Sequence, residues 1–183
     1  MSESAERYRN VAAQFTARVE AVPADAWDNP APCDGWVARD VVGHLVEWLP
    51  AFFFGAWDVE TGPIPSAAVA PAKAWAVVND AIQRSLDNPA VAQSVRDVHV
   101  GRMSFENAID MICTTDVLIH TWDLARATGL DEALDPVEVH RYAEGMEPLD
   151  QLLRDSGEYG PRVPVAADAD EQTRLIAFLG RQP

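Results

Sequence analysis

Asp116 and His120 stand four residues apart in the segment MICTTDVLIHTWDLARATG. On a helix such residues share a face. His44 lies inside a second helical stretch, DVVGHLVEWL. A carboxylate and an imidazole from one helix, joined by an imidazole from a facing helix, can close on a single divalent ion. Three protein ligands with further coordination positions open is the arrangement of a catalytic rather than a structural metal site. The neighbours are apolar: Val41, Val42, Leu45 and Val46 around His44, and Ile112, Val117, Leu118 and Ile119 around the other two. Polar groups among such residues are costly to desolvate unless something pairs them. A cation would do so, and so would a hydrogen-bond network, and periodicity does not choose between them.

Other residues could complete this chemistry. Glu47 follows His44 by one helical turn and could orient that imidazole or act as a base; equally, it could pair with a surface cation. Cys113 lies seven residues before His120, two turns away on nearly the same face, where it would border the site, supply a soft ligand, or be a buried apolar thiol. Asp123 and Arg126 have the spacing of an intrahelical ion pair. Trp36, Trp48, Trp57 and Phe52 to Phe54 could wall a substrate mouth or belong to the core. His99 and His140 read as ordinary surface or interface residues. Carboxylate-bridged di-iron bundles need two Glu-x-x-His pairs, and none occurs here. G-x-S-x-G, G-x-G-x-x-G and P-loop motifs are also absent.

The elements that would position these residues are helical. Ser4 to Val22 carries an apolar stripe of Val11, Ala12, Phe15 and Val19, with Pro23 behind it. A second helix starts near Trp36 or Val37, and Pro50 should kink or end it before AFFFGAW. A third covers about Ala72 to Leu86. VAQSVRDVHVGRM has alternating, strand-like character but stands alone and could be an extended loop. Ser104 caps a long fourth helix that runs to Thr128, with Gly129 as its stop. Asp135, Pro136 and Glu138 form a capping box opening a fifth helix that ends near Gly157. A short helix from about Asp170 to Leu179 ends at Gly180. The expectation is an all-α chain, one domain over 1–183, built as an antiparallel four-helix bundle with a short C-terminal extension.

Composition narrows the function classes. The 183 residues suffice for one sizeable core. With 14 basic against 29 acidic residues the formal charge is -15, which argues against nucleic acid or an anionic membrane as partner. No apolar run reaches a spanning length. The polar start MSESAERYRN is neither a signal nor a transit sequence. Two cysteines, Cys33 and Cys113, make no disulfide framework, so a reducing cytoplasm is the expected compartment.

The segments PCDGWVARDVVGHLVEW, TTDVLIHTWDLARATG and RLIAFLGRQP resemble the actinobacterial branch of the DinB-like superfamily, related to mycothiol-dependent maleylpyruvate isomerases. HTWDLARATG is the most specific part of the likeness, which covers nearly the whole chain. The resemblance implies a bundle with one divalent metal at one end, zinc or nickel, held by a ligand from the second helix and two from a later one. These fall on His44, Asp116 and His120. Two departures stand out. The isomerases place Glu where this chain has Asp116, and they carry a sizeable C-terminal α/β domain where about thirty residues follow the fifth helix here.

The expected function is therefore that of a metal-dependent enzyme using a low-molecular-weight thiol such as mycothiol. The thiolate would transfer its sulfur to a small electrophile or isomerise it. The partners would be the small-molecule thiol and the electrophile, with a homodimer also open. The competing readings are a non-catalytic metal- or small-molecule-binding bundle, as in a stress or resistance protein, and an inert dimerisation bundle.

Overall fold

The computed structural model describes residues 2–98, 100–156 and 160–183. His99 and the expected helix end at Gly157 lie outside the described residues. The chain is predominantly helical with one two-stranded sheet.

Helix α1 spans Glu3–Ala21, capped by Ser2, whose Oγ accepts from the Ala5 amide. Its stripe of Val11, Ala12, Phe15 and Val19 is buried. Helix α2 spans Ala38–Leu49, and the Asp40 carboxylate in its first turn accepts from the Val37 amide at 2.9 Å. Pro50 ends the regular helix, as a residue without an amide donor must. The chain nevertheless keeps coiling, through a wide π turn at Pro50–Phe54 into the short α3, Gly55–Trp57. Helix α4 spans Pro71–Asp87 and α5 Pro89–Ala92.

The strand-like stretch that could have been an extended loop pairs with itself. Strands β1, Val95–Val98, and β2, Gly101–Ser104, run antiparallel, with Val95 opposite Ser104 and Val98 opposite Gly101. Period-two alternation without a partner strand is unstable, and folding back supplies the missing hydrogen bonds.

Ser104 caps as expected, accepting from the Asn107 amide. The long helix it opens is interrupted. Helix α6, Phe105–Ala108, passes through a π turn at Ile109–Cys113 into α7, Thr114–Thr128, and Gly129 stops it at φ +70°. The Thr114 hydroxyl donates to the Ile109 carbonyl, five residues back. Such widened turns are often found at functional sites, and this one directly precedes Asp116.

The fifth helix is also interrupted. Helix α8 spans Pro136–Met146, a 3₁₀ turn follows at Glu147–Leu149, and α9 takes Asp150–Ser156. Pro148 cannot donate into a continuous helix, which accounts for the break. Helix α10 spans Glu171–Phe178 and ends at Gly180 with φ +83°.

Helices α1, α4, α2 and α7 contact one another in a closed cycle, α1 on α4 and α7, α2 on α4 and α7; α10 packs on α8. The buried aromatics Tyr8, Phe15, Trp75 and Trp122 fill the space between them. Phe15 and Trp75 meet edge to face with centroids 4.8 Å apart, and the Trp75 indole donates to Thr16 Oγ1.

A partly enclosed ion network lies beside this core. Buried Arg7 of α1 donates to Glu138 on α8, to Asp110 Oδ1 in the π turn, and to the Asp110 carbonyl. Glu138, expected in the capping box, is thus committed to Arg7. Removing the guanidinium leaves two partly buried carboxylates facing each other unpaired, which costs about 3 kcal/mol. Arg7→Met should lower the melting temperature by roughly 6–12 °C, read by circular dichroism. A drop of only about a degree would mean solvent already screens the network.

Candidate metal centre

Helix α2 supplies His44 and helix α7 supplies Asp116 and His120, and their contact brings the three together. His44 Nε2 lies 3.3 Å from Asp116 Oδ2, and His120 Nε2 lies 3.4 Å from Asp116 Oδ1. The imidazole centroids are 4.9 Å apart. One ligand atom from each residue falls within 4.8 Å of the other two. Asp116 Oδ2 is buried yet has no hydrogen bond, because the His44 approach is near in distance but off in direction. A buried carboxylate with one oxygen orphaned and an imidazole nitrogen near each of its two oxygens is what a cation-binding pocket looks like. The donor set fits a divalent cation that accepts nitrogen and oxygen ligands.

Behind His120 stands a support that sequence reasoning missed. His120 Nδ1 is 2.9 Å from Asp123 Oδ2, and Asp123 is fully buried. Arg181, just past Gly180, donates to the same carboxylate from Nε at 2.7 Å and from Nη2 at 2.8 Å. This bidentate clamp fixes the carboxylate, which fixes the ring, so that Nε2 faces Asp116. The expected Asp123–Arg126 pair does not form. Asp123 faces the interior, while exposed Arg126 pairs with Glu132 and lies over the Trp122 ring. Asp123 follows His120 by three residues, a helical-face spacing that could have revealed it; Arg181 gives no such local signal.

Cys33 joins the same cluster from the loop before α2. Its Sγ is 3.6 Å from Asp123 Oδ2 and 3.6 Å from Arg181 Nη2. Burial, with the Asp123 charge next, pushes the thiol up to about 12, so it stays protonated and donates to Asp123. Cys33, His120 and Asp123 also lie close enough to hold an ion. There, however, the carboxylate is already taken by Arg181 and His120.

The other candidate residues separate cleanly. Cys113 is fully buried, its thiol pushed well up by burial and then by the Asp116 charge. Glu47 is exposed on α2 and does not line the cavity in front of the cluster. His140 is exposed and pairs with Glu171. Trp36, Trp48 and Phe52 line that cavity, whereas Phe53, Phe54 and Trp57 are buried in the core. Trp36 stacks on His120 with centroids 5.8 Å apart and lies 5.2 Å from His44. The cavity measures about 1100 Å³ and has His44, Asp116 and His120 in its wall.

The charges interlock. Burial opposes the His120 imidazolium, but Asp116 and then Asp123 outweigh it and raise the group from 6.5 to about 9. Burial likewise opposes the Asp116 carboxylate, and His120 with His44 overcomes it, holding Asp116 well below the usual carboxylate range. Asp123 is depressed against burial by His120 and Arg181. In the metal-free chain the raised histidine contributes stability that is fully present below pH 6.5 and lost as pH rises through about 9. The depressed carboxylates contribute stability present above their ordinary value of 3.8 and lost as pH falls through their folded values. After chelation the melting temperature should therefore decline between pH 6.5 and about 9, and His120→Gln should flatten that decline. A flat alkaline profile in the wild-type chain would show that His120 is neutral between its two carboxylates.

Residues 8–125 match the family described as the mycothiol maleylpyruvate isomerase N-terminal domain, a span that includes all of His44, Asp116, His120 and Asp123. The chain belongs to this family. It is also 31% identical over 172 residues, 91% of either chain, to proteins from two strains of Mycobacterium tuberculosis that are themselves called uncharacterized. No solved structure matches significantly. Arg181 lies beyond the span matched to the family, so the clamp on Asp123 comes from outside it. Among the described residues no helix is long and apolar enough to cross a membrane.

Proposed function

We propose that this chain is a metal-dependent enzyme that uses a low-molecular-weight thiol, mycothiol or a close analogue, on a small electrophilic substrate. His44, Asp116 and His120 hold a divalent cation, zinc or nickel, at one end of an antiparallel four-helix bundle made by α1, α2, α4 and α7. The observation that carries this reading is the Asp116 carboxylate between two imidazoles, one of its oxygens orphaned, at the wall of a large cavity. Membership in a family whose description names mycothiol and a maleylpyruvate isomerase supports the choice of thiol. The cyclic packing of the four helices supports the bundle.

A cation held there would bind the thiol sulfur and keep it as thiolate. The chain's own residues do the rest. Asp116 offsets half the charge of a divalent ion, and Asp123 with Arg181 fixes the His120 ring. Trp36 covers the imidazoles, and the aromatic wall excludes water from the electrophile. The thiolate sulfur forms a bond to an electrophilic carbon. Transfer ends with that bond kept and a leaving group expelled; isomerisation ends with the thiolate expelled again and a double bond shifted.

Cobalt substitution tests the reading. Adding a thiol to the cobalt form should produce a sulfur-to-metal charge-transfer band, and His44→Ala should abolish it. Cobalt bound at one per chain with no band for any thiol would instead favour a non-catalytic metal-binding bundle.

A further inference from the structure

The described wall of the cavity carries one arginine or lysine, Arg181, and its guanidinium is committed to Asp123 by two bonds of 2.7 and 2.8 Å. Its carboxylates are Asp34 and Asp116. Most of the remaining wall is apolar: Trp36, Trp48, Phe52, Met111, Ile119 and Leu153 among others. The Trp48 and Phe52 rings lie 5.1 Å apart, tilted by 31°, and both are half-buried. Flat π faces of this kind take aromatic guests in offset or edge contacts. Charge bookkeeping points the same way. With a divalent cation at the cluster, Asp116 and a bound thiolate each cancel one positive charge, so nothing net positive remains for a second anion.

We propose that the cavity takes an uncharged aromatic or apolar electrophile and discriminates against carboxylate-bearing ones. The proposal rests on the reading of a cation-and-thiol site and adds the class of the second substrate. A carboxylate entering this space gives up its hydration, finds the wall's guanidinium and the His120 ring already paired with Asp123 and Asp116, and meets Asp34. A neutral ring loses little hydration and gains the indole faces. The volume of about 1100 Å³ leaves room for such a guest beside a thiol.

A matched pair of inert probes tests this: meta-dinitrobenzene and the corresponding dinitrobenzoate, which differ by one carboxylate. Binding is measured by equilibrium dialysis on metal-free protein and on zinc-loaded protein saturated with β-mercaptoethanol. The neutral probe should bind at least about tenfold more tightly in both forms, the equivalent of about 1.4 kcal/mol. Trp48→Ala should weaken it about fivefold without changing zinc content, and Phe52→Leu serves if the first variant does not fold. Equal or tighter binding of dinitrobenzoate overturns the proposal, as does neutral-probe binding that ignores both wall substitutions or is absent. Zinc content and the cobalt–thiol band report separately on the functional reading. Selectivity in the metal-free form survives the loss of that reading, and a retained band survives the loss of selectivity.

Discussion

Asp116→Asn should lower the affinity for a divalent cation by about two orders of magnitude while the helices stay folded. The substitution keeps the size of the side chain but removes the one negative charge among the three candidate ligands, and second-sphere changes alone cost 10–100-fold at such sites. Asp116→Glu should retain metal better than the Asn variant. Asp116 faces a cavity rather than close-packed core, so an added methylene has room, and a carboxylate remains between His44 and His120. If Asp116 were only a hydrogen-bond acceptor for the imidazoles, the ranking would invert. Asn could still accept a bond in place, while Glu would have to reach the imidazoles from a side chain one methylene longer. Metal content after dialysis against a competing chelator, together with melting curves, distinguishes the two. Asn holding metal as tightly as wild type would remove Asp116 from the ligand set.

Asp123→Asn should be the most destabilising single change at the site, costing about 3–5 kcal/mol, because it strands the Arg181 guanidinium and the raised His120 beside an uncharged group. For a chain of this length that is a fall in melting temperature of roughly 10 °C. Arg181→Met alone strands the buried carboxylate and should cost a similar amount. The double variant should cost much less than the sum, since the two groups answer chiefly to each other across 2.7 and 2.8 Å. Additive losses would falsify the clamp as an energetic unit. The same variants should also weaken metal binding, about 10–100-fold, by freeing the His120 ring.

The apolar stripe of α1, the caps at Ser104 and Asp135, and the stops at Gly129 and Gly180 were all legible in the sequence, because each follows from side chains within a turn or two of one another. So was the candidate trio. A four-residue spacing puts Asp116 and His120 on one face, and apolar flanks mark His44 as a polar residue needing a partner. Where local rules met a competitor, they failed. Pro148 interrupted the helix that the capping box at Asp135 opened, and the strand-like stretch closed on itself as a hairpin.

What only the tertiary structure decided are the contacts across long stretches of chain. Asp123 had a plausible partner three residues away in Arg126, but burial at 0% exposure handed it to Arg181, 58 residues on, and to His120. Cys33 reaches the same carboxylate from 90 residues away. Glu47 shares a helix with His44 yet faces outward, and the aromatics divide into cavity wall and core by the way the chain coils past Pro50. A spacing specifies which side chains can share a face, since helix geometry is local. Which face is buried, and which distant charge meets it there, depends on desolvation, and desolvation is a property of the packed molecule.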